Sequence, residues 1–171
     1  MMLVLRLVLA LTAVVVMCFP AARDSSPLSR EYRRDIRHVK IDFTKSDWPN
    51  ELLGTENVSG YEGWGRWTDG RPARFVYKGP LPAKLEIRLE FGCGRASSGD
   101  QVLISIGADS QAVPVLTCEK NEASIVLVNP KRLNEIQIHP SFIYLPAQHG
   151  ESNDFRRLGI SLFSLEVRDV S

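Results

Sequence analysis

The stretch Lys84–Phe91 has the sequence Lys-Leu-Glu-Ile-Arg-Leu-Glu-Phe, in which every second side chain is apolar. Strict alternation of this kind predicts a β-strand with one buried face and one face in water. Shorter runs with the same period are Val39–Phe43, Phe75–Tyr77, Val102–Ile106 and Ile136–Ile138. Beyond the N-terminal leader, apolar residues are not sustained at the helical spacing of three and four. The sequence therefore predicts an all-β chain.

Two further segments refine this prediction. Ser124–Val128 carries a continuous apolar run, which is typical of a central strand. Near the C-terminus Ile160 and Leu162 alternate, and the run from Phe163 to Val167 then alternates one residue out of step. A β-bulge at Leu162 and Phe163 would bring both halves onto one core face.

Turn signals separate these strands, among them Lys78–Pro80, Ser98–Asp100, Gly107–Asp109 and Asn129–Pro130. The length of 171 residues is enough for one domain, but too short for a (β/α)8 barrel. About eight strands in roughly 130 residues predict a two-sheet, jelly-roll-like β-sandwich.

The N-terminus is apolar from Leu3 to Phe19, apart from Arg6 and Thr12. Leu7–Phe19 has the length of a signal-peptide core, whereas a spanning helix needs about 20 residues. We expect residues 1–22 to be a signal peptide or membrane anchor, 23–37 a polar basic linker and 38–171 the sandwich. This organisation places the domain in the periplasm or on the periplasmic side of the inner membrane, although arginines directly after a leader oppose translocation.

Composition excludes several functional classes. The 21 basic and 20 acidic side chains give a net charge of +1, which argues against a nucleic-acid binder. Outside the leader the cysteines are Cys93 and Cys118, which can pair in an oxidising compartment or remain separate core thiols. Neither belongs to a close Cys or His pair and the histidines are scattered, so we expect no metal site and no cofactor.

The loop Ser59–Arg74 has a residue composition that is unusual for a purely structural segment. It is loosened by glycines and concentrates aromatic and charged side chains, namely Tyr61, Glu62, Trp64, Arg66, Trp67, Asp69 and Arg71. Flat aromatic faces stack on sugar rings, while carboxylates and guanidinium groups bond vicinal hydroxyls. The alternative is structural: the tryptophans anchor the core and the charged residues form an ion-paired latch.

A second charged cluster, Asn153–Gly159, precedes the last strand and contributes Asp154, Arg156 and Arg157. One of its arginines could pair with Glu62 or Asp69 and tie the last strand to the tryptophan loop. Exposed arginines could instead bind an anionic group such as phosphoglycerol.

Independent catalysis is not expected. Asp109 with Ser110, or His149 with Asp154, contain residue types used by hydrolases, but no Gly-x-Ser-x-Gly elbow occurs. A pair of glycosidase carboxylates could be drawn from Glu62, Asp69 and Asp154, but the sequence does not give the distance between them.

Glu62–Gly70, Pro80–Pro82 and Asn153–Ile160 together resemble an uncharacterised β-rich domain of bacterial membrane enzymes. That domain lies at the C-terminal end of phosphoglycerol transferases and of some membrane glycosyltransferases. The resemblance covers about residues 41–167, and it departs from the family pattern at Phe91–Gly94 and in the proline-rich stretch Pro140–Pro146. It implies an envelope-glycan context and an accessory, non-catalytic part, and it supplies no binding residue.

These observations predict a non-catalytic envelope domain that binds a glucan or phosphoglycerol-glycan and is accessory to a membrane transferase. The alternative is a structural or docking module of such a transferase that does not contact sugar. Solvent exposure separates the two hypotheses. An open Trp64 or Trp67 favours sugar, and burial of both beneath an apolar patch favours a protein partner.

Overall fold

The computed structural model describes residues 34–171, which are built almost entirely from antiparallel β-strands. The expected signal or anchor at 1–22 and most of the linker 23–37 lie outside the described residues. Within the described part the only helix is a single 3-10 turn, Pro146–His149, and no helix there is long and apolar enough to cross a membrane.

The strands, in chain order, are β1 (His38–Asp42), β2 (Leu52–Glu56), β3 (Arg66–Trp67), β4 (Ala73–Tyr77), β5 (Lys84–Cys93), β6 (Gln101–Ile106), β7 (Asp109–Pro114), β8 (Asn121–Val128), β9 (Glu135–Pro140) and β10 (Ile160–Asp169). They form two five-stranded sheets. Sheet I has the order β1-β10-β5-β8, with β3 also paired to β10, and sheet II has the order β2-β4-β9-β6-β7.

Without β2 and β3, the remaining strands form two four-stranded sheets in the order of a jelly roll. The prediction of an all-β, two-sheet sandwich is therefore confirmed. Sequence patterns missed β2, β3 and β7, because β3 is only two residues long and β7 is a mostly exposed strand with little alternation. The expected turn at Gly107–Asp109 is a two-residue loop, with Gly107 at φ +59°, and Asp109 already belongs to β7.

The centre of sheet I is formed by β5 and β10, and both follow their sequence patterns. The side chains at Leu85, Ile87, Leu89 and Phe91 of β5 are at most 1% exposed. In β10 the register shifts between Leu162 and Ser164, which confirms the β-bulge. The bulge brings the side chains before and after it onto the same buried face.

The prediction for Ser124–Val128 was wrong. It forms the end of β8, an edge strand of sheet I whose residues alternate between buried and exposed. Val126 and Val128 are 42% and 52% exposed. Their backbone groups bond side chains of β7 instead of a further strand: Gln111 Nε2 donates to Val126 O at 3.0 Å, and Val128 N donates to Asp109 Oδ2 at 2.7 Å. Side chains from the other sheet thus cover this edge.

Cys93 and Cys118 form a disulfide, with 4.5 Å between their Cα atoms. The bond holds the segment after β7 against the end of β5. A Cβ at Gly92 would lie 2.8 Å from Glu119 O, so only glycine permits this approach. The disulfide therefore secures the same end of sheet I at which β3 joins β10.

Candidate functional site

The tryptophan loop lies on the N-terminal end of β10. Within it β3 pairs with β10, so that Trp67 faces Ser161 and Arg66 faces Leu162. A Cβ at Gly65 would lie 2.6 Å from Leu162 O, which requires glycine at this position. The loop backbone is therefore seated directly on the last strand of the core.

Thr68 joins the end of the loop to β10. Its side chain is fully buried, its N–H donates to Ile160 O at 2.9 Å, and its Oγ1 accepts from Ile160 N at 2.9 Å. Gly159 N donates to Thr68 O at 2.8 Å. Sequence reasoning did not single out Thr68, although it lies inside the motif that carries the family resemblance.

An aromatic ridge, defined by Trp64, Trp67 and Phe163, stands on this base. Trp64 meets Trp67 edge-on at a centroid distance of 5.5 Å and Phe163 at 6.2 Å. Trp64 is 40% exposed, whereas Trp67 and Phe163 are half-buried. The neighbours fix the orientation of the Trp64 ring, and a large part of its surface remains open to solvent. Phe163 was missed as a site residue, although the break in alternation marked its position.

Arg66 differs from its expected role as a ligand contact, because it is only 6% exposed. Its Nη2 donates to Ser46 O at 2.9 Å and its Nη1 to Ser59 O at 3.3 Å. The guanidinium lies 4.3 Å from the ring centroid of Trp48 and 5.7 Å from that of Tyr61. Burial lowers the pKa of Arg66 from its ordinary value. Arg66 therefore braces the loop from beneath through backbone carbonyls and cation–π contacts.

Tyr61 is 43% exposed and lies beside this brace. Its hydroxyl contacts two backbone carbonyls, those of Thr44 and Gly63, each at 3.1 Å. Part of the residue is open to solvent, but the hydroxyl is occupied by the protein. Tyr61 can thus offer a ligand its ring more readily than its oxygen.

The two charged clusters meet through one arginine. Arg156 forms a two-pronged ion pair with Asp154, at 3.0 and 2.6 Å, and its Nη1 bonds the carboxylate of Glu62. We call Glu62, Asp154 and Arg156 the latch. Hydrogen bonds from Arg156 lower the pKa of Asp154, and hydrogen bonds from Asp154 and Glu62 raise the pKa of Arg156.

The remaining predicted residues do not join the latch. Asp69 pairs with Arg71 at 3.1 Å, and Arg71 is largely exposed. Within residues 34–171, Arg157 forms no ion pair, and its backbone packs against Gly70. The structure thus brings Glu62, Asp154 and Arg156 together and leaves Arg71 and Arg157 at the surface.

The residues considered for hydrolase chemistry serve structural contacts. Asp109 accepts the backbone N–H of Val128, His149 stacks on Tyr144 at 5.6 Å, and Asp154 is held by Arg156. In the part of the chain that the structure describes, no group of three His, Cys, Asp or Glu side chains could hold a metal ion. The arrangement offers a fixed aromatic surface beside oriented carboxylate and guanidinium groups, which suits binding of a polyhydroxylated ligand.

Comparisons with known proteins agree with the motif resemblance. Residues 30–169 match the family described as "Domain of unknown function (DUF7024)". Phosphoglycerol transferase I of Salmonella typhimurium and that of Salmonella typhi are each 27% identical over 146 residues. The match covers 80% of this chain and 18% of each relative, so the chain corresponds to about a fifth of their length. The resemblance to a domain of phosphoglycerol transferases is thereby confirmed.

Among solved structures, a carbohydrate binding module (CBM6cm-2) from Cellvibrio mixtus lichenase 5A in complex with cellotriose superposes with a TM-score of 0.40. The identity is 9%, and the superposition covers 78% of this chain and 98% of the module.

Proposed function

We propose that this chain, which belongs to the DUF7024 family of domains of unknown function, is a non-catalytic carbohydrate-binding domain. The observation that carries the proposal is the exposure of Trp64. Trp64 is 40% exposed as a residue, while the orientation of its ring is fixed by edge-on contacts with Trp67 and Phe163. A ring already held in place loses little conformational entropy when a sugar stacks on it.

The latch supplies the polar half of such a site. Arg156 holds the orientation of both carboxylates. It donates a single hydrogen bond to Glu62, which keeps acceptor positions that Arg156 does not occupy, whereas Asp154 receives four hydrogen bonds from Arg156. The carboxylate of Glu62, fixed in this way, can accept hydrogen bonds from vicinal hydroxyls of a sugar. Because one cation offsets two carboxylates, this part of the site favours a neutral polyol over a polyanion.

The relatives indicate the context. They are named phosphoglycerol transferase I, and we assign transfer chemistry to the parts of those proteins that this chain does not match. The proposed ligand is a glucan or a phosphoglycerol-decorated glycan of the bacterial envelope. The chain would act beside a membrane transferase, in the periplasm or attached to the inner membrane. Arg71 and Arg157, both exposed at the surface, are the side chains that we propose to contact a phosphoglycerol group.

One observation favours the alternative of a docking module. Phe155 is 80% exposed although it directly precedes Arg156 of the latch. An aromatic side chain left in solvent within a charged loop is a common anchor for a protein partner. In that case Phe155, rather than Trp64, would carry the binding energy.

Glycan titration with matched variants separates the two functions. We expect calorimetry of the full chain with linear glucans, with and without phosphoglycerol groups, to show binding that Trp64→Ala lowers at least about tenfold. Leu103→Ala is the control, because Leu103 is 39% exposed on sheet II. Binding that survives Trp64→Ala would contradict the proposal. Retention of a transferase domain by the wild-type chain, but not by Phe155→Ala, would support docking.

A further inference from the structure

The outer face of sheet I carries an ordered set of polar side chains. Strand register places four of them in one row across β1, β10, β5 and β8, namely Lys40, Glu166, Arg88 and Ser124. The adjacent row consists of Asp42, Ser164, Glu90 and Glu122. Side chains opposite each other in paired strands point to the same side of the sheet. These rows therefore form a continuous polar surface.

A groove of about 470 Å³ runs across the two rows. Ser124 and Ser164 are short, whereas the lysine, arginine and glutamate side chains around them are long, so a depression remains between the long ones. Its volume lies in the range of ligand-binding clefts. The groove is a half-open depression in the outer face of sheet I.

Several groove side chains are already oriented. Arg88 Nε donates to Glu86 Oε1 at 3.0 Å, and Ser124 Oγ donates to the same carboxylate oxygen at 2.8 Å. Glu166 accepts from Arg168 at 2.7 Å. Lys40, in contrast, forms no ion pair within residues 34–171, so its ammonium group is open to a ligand acceptor.

Strand β10 links the groove to the aromatic ridge. Ser164 follows Phe163 in the chain, and Phe163 supports Trp64. Along β10 the three residue-to-residue steps from Phe163 to Glu166 span about 10 Å at the usual rise per residue of a strand. A ligand longer than one sugar ring could therefore stack on Trp64 and reach the groove at the same time.

We propose that the ridge and the groove form one track for an extended, neutral oligosaccharide of several rings. This inference rests on the proposed function. Stacking on Trp64 holds one ring, and the groove side chains bond hydroxyls of the following rings. The groove is lined by two cations and three carboxylates, so it offers no net positive charge to a phosphate. Its occupant is thus an undecorated stretch of glycan.

Titration with glucose oligomers of increasing length tests the track. We expect the full wild-type chain to bind a linear glucohexaose at least about tenfold more tightly than the disaccharide, because a second contact region adds free energy. Ser124→Arg places a long side chain in the groove, and Ser124 is exposed on an edge strand, so the fold should tolerate it. The variant should reduce hexaose affinity to the disaccharide level and leave disaccharide affinity unchanged.

Ser110→Arg is the matched control, since Ser110 is exposed on β7, one of the two edge strands of sheet II. It should change neither affinity. Lys40→Ala should lower the affinity for the hexaose only. This variant tests the groove without introducing a long side chain.

The outcomes separate the proposed track for long oligosaccharides from the proposed carbohydrate-binding function. Equal affinity for hexaose and disaccharide, or hexaose binding that Ser124→Arg leaves unchanged, would overturn the track. If Trp64→Ala still lowered disaccharide binding in that case, the proposed function would stand. If the wild-type chain bound neither ligand, both would be overturned.

Discussion

The guanidinium of Arg156 bonds the carboxylate of Glu62, a residue 94 positions earlier in the chain. The contact ties the tryptophan loop to the segment that leads into β10. It lies at the surface, with the side chains of Arg156 and Glu62 48% and 26% exposed. The latch is therefore a hydrated ion-pair network and not a dry one, which limits its energetic contribution.

A double-mutant cycle on Glu62→Gln and Arg156→Met measures that contribution. We expect a coupling free energy of about 1 kcal/mol or less, because solvent screens an exposed pair. A buried pair would lose about 3 to 5 kcal/mol when one partner is removed. Urea unfolding of the wild type, the two single variants and the double variant gives the value. A coupling above about 2 kcal/mol would show that the latch is drier than its exposure indicates.

Acid should weaken the latch through Asp154. Hydrogen bonds from Arg156 hold the pKa of Asp154 below its ordinary value of 3.8. A carboxyl group whose pKa is lower in the folded state contributes stability above its unfolded pKa and loses it as the pH falls through the folded pKa. The wild type should therefore lose more stability than Asp154→Asn as the pH falls below about 4. Parallel pH curves for the two proteins, from denaturant unfolding, would contradict this.

Thr68 should matter more for stability than its size suggests. Thr68→Val keeps the shape but removes the oxygen that accepts from Ile160 N, and it leaves a buried donor unsatisfied. We expect a loss of about 1 to 3 kcal/mol in the free energy of unfolding. Thr44→Val is the control, since its hydroxyl bonds Asp42 at the exposed surface. Equal losses in the two variants would refute the role assigned to Thr68.

For Tyr77, in contrast to Thr68, we expect removal of the hydroxyl to preserve or raise stability. Its hydroxyl is buried without a hydrogen-bond partner in the described part of the chain, and burial raises its pKa. Tyr77→Phe removes an unsatisfied polar group from the core, so stability should stay equal or rise by up to about 1 kcal/mol. Thermal melts measure this change. A clear loss of stability would indicate a partner for the hydroxyl, such as a buried water.

If the chain is exported, as proposed, the disulfide should be present. Denaturation of the unreduced full chain should leave no reactive thiol at Cys93 or Cys118, and mass spectrometry of peptides should recover them joined. Breaking the bond in Cys93→Ser/Cys118→Ser should cost about 3.5 kcal/mol, because it removes a loop constraint from the unfolded chain. Labelling of both thiols in the native protein would contradict the pairing, and a cytoplasmic pool would contradict export.

Alternation along the chain was sufficient to predict much of the sandwich. It placed β5 and the bulge in β10 correctly because side-chain direction in a strand follows directly from sequence position. It failed for β8, where apolar residues face solvent on an edge strand. Whether a strand is central or at an edge depends on which strands pair with it, and that is decided by contacts far apart in sequence.

The candidate site, like the fold, was predicted from the sequence only in part. Residue types identified the tryptophan loop and the second charged cluster. Aromatic and charged side chains concentrated among glycines are unusual in a purely structural loop. They did not show that Arg66 is buried, that Thr68 holds the loop, or that Trp48 and Phe163 complete the aromatic surroundings. Each of these depends on where β3 lies on β10.

By itself, the sequence determined the β class, the alternation of core and surface, the bulge and the two segments that meet. Those features are local, since they follow from the period of side chains along one strand and from residue chemistry. The tertiary structure decided the sheet order, the choice of Glu62 as partner of Arg156, the exposure of Trp64 and the groove on the outer face of sheet I. These features arise only when strands distant in sequence pair and pack, because burial is a property of the assembled sheets.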